Sequence, residues 1–311
     1  MVECVCQKNC WYWLWQSLPC SGLLLAVAAG MVQARYYLNH RDGDGFTDVI
    51  KNSFDAKAKA AGIQVEFKDA KGDCALQTDQ LNEAIAAKPS AIVLLAVDGA
   101  AIVPTVEKAN AAGIPVFITN RTVAGGTVIS SMSDDREAGR MQGEYMAKHL
   151  PQGAKIVYFE GEESHSASAA RWAGFKETCL DKRPDIQLLS SAVGNWNTSD
   201  ALRDMTLWLK LFPQIDGVVA ANDGMAIGAV QALKDAGRLN GCLVSGVDAT
   251  PDALKLVQAG EMSQTVKQDA VGQADGLFTL IDSCLKGKMP TENITVPFTS
   301  ITKDNIAQFV K

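Results

Sequence analysis

Two stretches of the sequence decide the fold: VVAANDGMAIG at residues 218–228 and LVSGVDATPDAL at residues 243–254. In each, an apolar run typical of a buried strand ends on a polar residue, Asn222 or Asp248, and an amphipathic helix pattern follows at once. In an open parallel sheet these polar residues lie at the carboxyl ends of strands, where ligands bind. The stretches therefore predict an α/β protein that binds a small molecule.

The same alternation extends outward along the chain. Strands are predicted at residues 32–38, 63–68, 91–96, 115–119, 155–160, 186–192, 217–221, 243–247 and 263–267. Helices are predicted at residues 46–61, 75–87, 101–112, 136–149, 169–181, 199–212 and 225–236. Gly62 and Gly113 stand where helix C-termini favour a left-handed residue. A single sheet of so many strands would be unusual, so a break near residues 130–134 divides the chain into two lobes with a binding cleft between them.

Length and composition agree with two folded α/β lobes. The chain has 311 residues, of which 47% are hydrophobic and 21% charged, as in ordinary globular proteins. The formal net charge is −6, and lysine and arginine are dispersed along the chain. Because no basic stripe is available to neutralise a phosphate backbone, nucleic acid is not an expected partner.

Residues 1–30 differ from the rest of the chain. They contain four cysteines and three tryptophans, and an apolar run at residues 23–32 is too short to span a bilayer. The run has the length of a signal-peptide core, and Ala26 to Ala28 offer small residues for cleavage, but Lys8 is the only positive residue upstream. We interpret residues 1–30 as a signal peptide or a misassigned lead.

The remaining cysteines show no metal or redox motif. They are widely spaced and lie within helix and strand patterns, where unpaired buried thiols are expected rather than disulfides. They are Cys74, Cys179, Cys242 and Cys284.

Several segments, in order and at compatible spacing, resemble one family from about residue 32 to the C-terminus. They are the two opening stretches, VEKANAAGIPV (residues 106–116), AARWAGF (residues 169–175) and TVKQD (residues 265–269). The chain resembles the periplasmic sugar-binding proteins of ABC transporters, of the ribose-binding type, which are related to effector domains of the lactose-repressor type. The resemblance implies the type I periplasmic binding protein fold, with two doubly wound parallel-sheet lobes joined by a three-strand hinge. It assigns residues 31–133 plus 269–297 to the N-terminal lobe, and residues 134–268 plus 298–311 to the C-terminal lobe.

The resemblance also implies a set of ligand-binding residues. They are Asp44, Phe46, Asn120, Arg121, Arg171, Trp196, Asn222, Asp248 and Gln268. This set suits a hydroxylated ring, because the two aromatic side chains can sandwich its C–H faces while arginine forks, amides and carboxylates bind its hydroxyl groups. The ribose-type proteins place Asp where this chain has Asn120, so the ligand need not be ribose. Residues 120–126 are similar to those of inositol- or rhizopine-type binders.

Other candidate residues have competing interpretations. Arg171 could pair with a nearby carboxylate, but an arginine near a helix N-terminus is not favoured by the helix dipole, and this indicates a functional role. Asp223 is expected to cap the following helix. His165 is expected to be exposed in a loop, with ligand contact as the alternative. A calcium loop built on the DGDG motif at residues 42–45 would place His40 first and Lys51 twelfth, where carboxylates are required, so no metal is expected. No cofactor is expected either.

The functional expectation is a periplasmic receptor that captures a monosaccharide or cyclic polyol and delivers it to ABC permease subunits. A chemoreceptor is a further candidate partner, and a monomer is expected. No enzyme is expected, because the chain lacks GxSxG, P-loop, GxGxxG and HExxH motifs. Two alternatives remain: the effector-sensing domain of a sugar-responsive regulator or chemoreceptor system, and a sugar-modifying enzyme.

Overall fold

Two six-stranded sheets with the same strand order form the framework. The computed structural model describes residues 35–43 and 45–310, so the predicted lead at residues 1–30 and the predicted ligand residue Asp44 lie outside the described residues. The described residues form one compact unit.

The first sheet is entirely parallel. Its strands are β1 (Arg35–Asn39), β2 (Glu66–Asp69), β3 (Ala91–Leu94), β4 (Val116–Ile118), β5 (Ile129–Met132) and, from much later in the chain, β11 (Ile294–Thr295). Their spatial order is β2-β1-β3-β4-β5-β11. The chain thus winds outward in both directions from β1, and the strand order reverses between β1 and β3.

The second sheet repeats this order and has one antiparallel edge. Its strands are β6 (Lys155–Glu160), β7 (Gln187–Val193), β8 (Gly217–Ala220), β9 (Leu243–Val247), β10 (Gln264–Lys267) and β12 (Thr299–Thr302). The spatial order is β7-β6-β8-β9-β10-β12, and only the β10–β12 pair is antiparallel. The two predicted α/β lobes are confirmed, with that edge strand as an addition to the predicted parallel sheet.

Helices cover both faces of each sheet. They are α1 (Gly45–Ala60), α2 (Cys74–Ala86), α3 (Val103–Ala111), α4 (Asp135–His149), α5 (Ser166–Phe175), α6 (Thr198–Leu211), α7 (Asp223–Asp235), α8 (Pro251–Ala259) and α9 (Ala270–Leu285). A π-helical turn at Lys176–Leu180 extends α5, and a 3₁₀ turn lies at Ile306–Gln308. None of the described helices is long and apolar enough to cross a membrane.

The alternation of side chains along each strand divides the core into two layers. In β1, Leu38 packs with α2 and α3 on one face of the first sheet, while Tyr37 packs on the other face with Phe54 of α1 and Leu277 of α9. The second sheet is covered in the same way, by α6 to α8 on one face and by α4 and α5 on the other. The first core therefore depends on a helix that lies more than two hundred residues after β1.

The chain passes between the two sheets three times: after β5, after β10 and between β11 and β12. Gln273 of α9 lies just after the second passage, and its buried hydrogen bonds connect it to residues next to the first passage. Its Nε2 donates to Ser133 Oγ at 3.0 Å, its carbonyl accepts from Ser131 Oγ at 2.9 Å, and Thr119 Oγ1 lies 3.3 Å from its Oε1. The exact lobe boundaries at residues 133/134, 268/269 and 297/298 stay a prediction.

Most of the elements expected from periodicity are present, with shifted ends. Gly62 and Gly113 have φ of +69° and +73°, which confirms the left-handed helix ends. Periodicity alone did not predict β5, α9, β11 or β12. Strand β11 has only two residues, and β5 carries two serines between its apolar ends, so neither shows a clear apolar run. The cysteines Cys74, Cys179, Cys242 and Cys284 are unpaired thiols, of which the second and third are buried.

Candidate ligand-binding site

A cavity lies where the carboxyl ends of the strands of both sheets face each other. Its lining residues are Phe46, Thr47, Asn120, His165, Ala167, Arg171, Trp196, Asn222, Asp248 and Gln268. The cavity has a volume of about 60 Å³ and is open to solvent. It adjoins a wider groove of about 760 Å³ that shares Phe46, Trp196, Asn222, Asp248 and Gln268.

The structure brings together seven of the nine residues predicted to bind ligand, since all but Asp44 and Arg121 line the cavity. Asp44 lies outside the described residues. Arg121 is buried nearby, where Nη1 donates to the carbonyl of Val97 at 3.3 Å and Nη2 lies 3.4 Å from Glu162 Oε2. Arg121 thus connects its own lobe with Glu162 of the other lobe and is not among the residues that line the cavity.

The guanidinium of Arg171 is largely engaged by protein groups. Nε and Nη2 donate to Asp135 Oδ1 at 2.9 and 2.8 Å, Nη2 also donates to Gln268 Oε1 at 3.0 Å, and Nη1 donates to the carbonyl of Ala221 at 2.6 Å. Four of the five N–H groups of an arginine are therefore used. Arg171 pairs with a carboxylate, as one interpretation expected, and it lines the cavity, while its contact with ligand stays a prediction. It offers one remaining N–H to a ligand rather than a fork for an anion.

The pairing with Asp135 also sets the charge of the site. Burial raises the pKa of Asp135, and the positive charge of Arg171 only partly opposes this shift. The side chains of Asp135 and Arg171 are 13% and 4% exposed. The charge of Arg171 is thus balanced by Asp135 inside the protein. The ligand therefore does not have to supply a negative charge.

Aromatic side chains reach the cavity from both lobes. Phe46 lies in the first turn of α1, and Trp196 lies in the loop between β7 and α6. The indole packs directly on Gly161, where an added Cβ would lie 2.0 Å from Cζ2. Among the described residues its Nε1 is buried without a hydrogen-bond partner. The indole therefore offers both an apolar surface and an N–H donor.

His165 belongs to the cavity, and the expectation that it is exposed was wrong. It is 8% exposed and caps α5, with Nδ1 accepting a hydrogen bond from the amide of Ala167 at 3.1 Å. Burial lowers the pKa of His165 well below its usual value, and the charges of Arg121 and Arg171 act in the same direction. The ring is therefore neutral, with its proton on Nε2 as a donor. The available sequence signal was its position just before a helix.

Asn222, rather than Asp223, caps α7 in the structure, and Asn222 also lines the cavity. Asn222 caps α7, because its Oδ1 accepts from the amide of Met225 at 2.9 Å, and its Nδ2 donates to the carbonyl of Trp196 at 3.3 Å. The expectation that Asp223 caps the helix was wrong. Asp223 is the first residue of α7 and is fully buried, with its carboxylate bound to Thr250 and Thr265.

Among non-glycine residues, left-handed backbone is concentrated at the cavity and the adjoining groove. Among the described residues, positive φ angles occur at Asn120 (63°), Asn195 (51°), Trp196 (59°), Asp248 (121°) and Ala249 (56°). The remaining non-glycine cases, Lys71 and Lys88, lie in turns of the first lobe. Such conformations cost about 1–3 kcal/mol each and cluster at functional sites.

Polar contacts join the two lobes beside the cavity. Glu162 lies in the loop between β6 and α5, with its carboxylate oxygens 3.6 Å from Arg41 Nη2 and 3.4 Å from Arg121 Nη2 of the other lobe. The amide of Thr122 also donates to Ser166 Oγ at 3.3 Å. We call the group of Glu162, Arg41 and Arg121 the interlobe latch. Its contacts exist only while the lobes lie close together.

Within residues 35–43 and 45–310, no group of three or more His, Cys, Asp or Glu side chains is placed to hold a metal ion. Aromatic surfaces, amides and one paired arginine enclosed between two α/β lobes define a small-molecule binding protein. The chain belongs to the family of periplasmic binding proteins, since the family model described as "Periplasmic binding protein domain" matches residues 35–289.

Individual relatives agree with this assignment. A protein of Rhizobium meliloti named for rhizopine binding is 34% identical over 86% of this chain and 89% of its own length. The xylitol-binding protein of Mycolicibacterium smegmatis is 32% identical over 85% of this chain and 76% of its own length. An ABC transporter solute-binding protein from Bacillus halodurans, solved with bound myo-inositol, has a TM-score of 0.83 at 29% identity and covers 89% of this chain and 97% of its own.

Proposed function

We propose that the protein is a solute receptor that encloses a neutral cyclic or linear polyol, of the sugar or inositol type, between its two lobes. The main support for this proposal is the cavity itself, which is lined by residues from both lobes. Phe46 and Asn120 come from the first lobe, while Arg171, Trp196 and Asp248 come from the second. A ligand that contacts both sets favours the closed arrangement over the open one, because these contacts form together only when the lobes meet.

The distribution of hydrogen-bonding groups supports a polyol ligand. Donors come from His165 Nε2, Trp196 Nε1 and the remaining N–H of Arg171, while the carboxylate of Asp248 accepts. Each sugar hydroxyl both donates and accepts, so it can satisfy either kind of group. An anionic sugar is disfavoured, because the charge of Arg171 is already balanced by Asp135.

The cellular role follows from the family and from relatives that are named for solute binding. We propose that the receptor works in the periplasm and delivers its ligand to the transmembrane subunits of an ABC importer, with a chemoreceptor as a second partner. It acts by capture and release rather than by covalent chemistry. The residues proposed to contact ligand are Asp44, Phe46, Asn120, Arg121, Arg171, Trp196, Asn222, Asp248 and Gln268, to which the cavity adds Thr47 and His165.

Titration calorimetry against myo-inositol, xylitol, pentoses, hexoses and a uronic acid tests the proposal. We expect at least one neutral polyol to bind and the uronic acid to bind more weakly than its neutral parent sugar. Asp248→Asn should weaken the binding constant by about tenfold or more, because hydrogen bonds to a charged group contribute about 1.5–3 kcal/mol.

The control is Asp252→Asn, which removes the same charge from the same lobe at a side chain that is 75% exposed. This variant should bind like the wild type. Failure of every polyol in the panel to bind, or equal affinity in the Asp248 and Asp252 variants, would contradict the proposal.

A further inference from the structure

The buried carboxylate of Asp223 joins three elements behind the cavity. Its Oδ2 accepts from the amide of Thr250 at 2.8 Å, in the turn between β9 and α8. Its Oδ1 accepts from Thr265 Oγ1 of β10 at 2.7 Å. Asp223 itself begins α7, where the helix dipole favours a negative charge. The side chain is fully buried, so these protein donors replace the water that would otherwise solvate it.

The same bonds hold the turn that presents Asp248 to the cavity. Asp248 and Ala249 have φ of 121° and 56°, conformations that an unrestrained chain rarely adopts. The amide of Ala249 donates to Thr265 Oγ1 at 3.1 Å, and Thr265 Oγ1 in turn donates to Asp223. The carboxylate of Asp223 therefore ties the two residues after Asp248, one through Thr265 and one directly.

The carboxylate of Asp223 occupies space that is left open by a glycine on the neighbouring strand. An added Cβ at Gly246 of β9 would lie 2.3 Å from Asp223 Oδ1, so only glycine leaves room for it there. Asp223 is absent from the lining of the cavity and of the adjoining groove. Its effect on a ligand must therefore pass through another residue.

We propose that Asp223 is a positioning residue, which sets the affinity of the site by holding the turn after β9 in the strained conformation that presents the Asp248 carboxylate. This inference rests on the proposed function, because it takes Asp248 as a ligand contact. Loss of the tether frees the turn, and the carboxylate then has to be ordered again at each binding event, which weakens binding.

A double-mutant cycle tests the inference with myo-inositol as the probe. Asp223→Asn replaces an acceptor oxygen by an amide that cannot accept both bonds, and we expect it to weaken the binding constant by about tenfold. In an Asp248→Asn background the same substitution should change affinity by less than about twofold, because the carboxylate on which it acts is gone. An equal loss in both backgrounds would show a general structural role and overturn the inference.

Thr265 provides a second route to the same bonds. Thr265→Val removes the bridging hydroxyl and should weaken binding by about threefold to tenfold, whereas Thr265→Ser keeps the hydroxyl and should restore affinity to within about twofold of the wild type. Thr178→Val is the control, since the Thr178 hydroxyl also hydrogen-bonds backbone carbonyls of the same lobe, those of Arg140 and Gly174, but lines neither the cavity nor the groove. Serine failing to restore affinity, or the control losing as much as Thr265→Val, would overturn the inference.

Amide hydrogen exchange of the ligand-free protein separates this inference from the proposed function. Asp223→Asn and Thr265→Val should speed exchange at the amides of Thr250 and Ala249 by at least about tenfold, whether or not the protein binds myo-inositol. Unchanged exchange at both amides would show that Asp223 does not tether the turn. If exchange is faster in the variants but the wild-type protein binds no polyol, the tether by Asp223 is supported and the proposed function is refuted.

Discussion

Replacement of Arg171 by methionine should destabilise the protein as well as weaken ligand binding. Arg171→Met keeps most of the apolar stem but leaves Asp135 buried without its partner. Removing one member of a buried ion pair costs about 3–5 kcal/mol, because the remaining charge stays desolvated. The guanidinium also lies 5.7 Å from the Trp196 ring and 6.0 Å from the Phe298 ring, so these contacts are lost as well.

The loss of stability in Arg171→Met should become larger as pH rises. Burial already raises the pKa of Asp135 above its ordinary value of 3.8, and removal of Arg171 raises it further. A folded-state pKa above the unfolded value gives stability that is present at low pH and is lost as pH rises through the folded-state pKa. The deficit of the variant should therefore be larger at pH 8 than at pH 5, by up to about 1.4 kcal/mol per pH unit across the titration.

Urea unfolding followed by circular dichroism at pH 5 and pH 8 measures both effects in the ligand-free protein. The double variant Arg171→Met with Asp135→Asn should recover part of the stability, because it removes the stranded charge. Arg203→Met is the control and should have little effect, since Arg203 is 64% exposed and pairs only with surface carboxylates. A loss below about 1 kcal/mol, or a deficit independent of pH, would refute the reasoning.

Two further predictions concern the edges of the site. Gly161→Ala should weaken polyol affinity by about tenfold or more while the secondary structure stays intact, because its Cβ would lie 2.0 Å from the Trp196 ring; wild-type affinity in calorimetry would contradict this. Glu162→Gln should speed ligand dissociation by about two- to fivefold in stopped-flow measurements, because it weakens the interlobe latch to Arg41 and Arg121. An unchanged dissociation rate would show that the latch does not stabilise the closed form.

The sequence predicted nine of the twelve described strands and the polar residues that follow β8 and β9, because both signals are local. Asn222 and Asp248 each follow an apolar run, and seven of the nine residues implied by the family resemblance line one cavity. The role of Asp223 could not be predicted in this way, since its partner Thr265 lies 42 residues further along the chain. Next to a helix start, local reasoning favours a cap for Asp as strongly as for Asn.

The orientation of the charged side chains was also beyond sequence reasoning. Arg121 and Arg171 look alike in sequence, yet one faces Glu162 of the other lobe while the other is held by Asp135 and Gln268. That difference depends on which carboxylate the packing places nearby. His165 was misjudged for a similar reason, because its ring packs against that of Trp196, which is distant in sequence, with the ring centroids 5.1 Å apart.

The three passages of the chain between the sheets determine when each lobe can finish folding during synthesis. The core of the first lobe includes Ala274, Leu277 and Ile281 of α9, and its sheet ends with β11 at Ile294–Thr295. A ribosome that has released only the first 268 residues has exposed five parallel strands of that lobe but not the helix that covers them. The nascent lobe therefore keeps apolar surface available to chaperones until α9 and β11 have emerged.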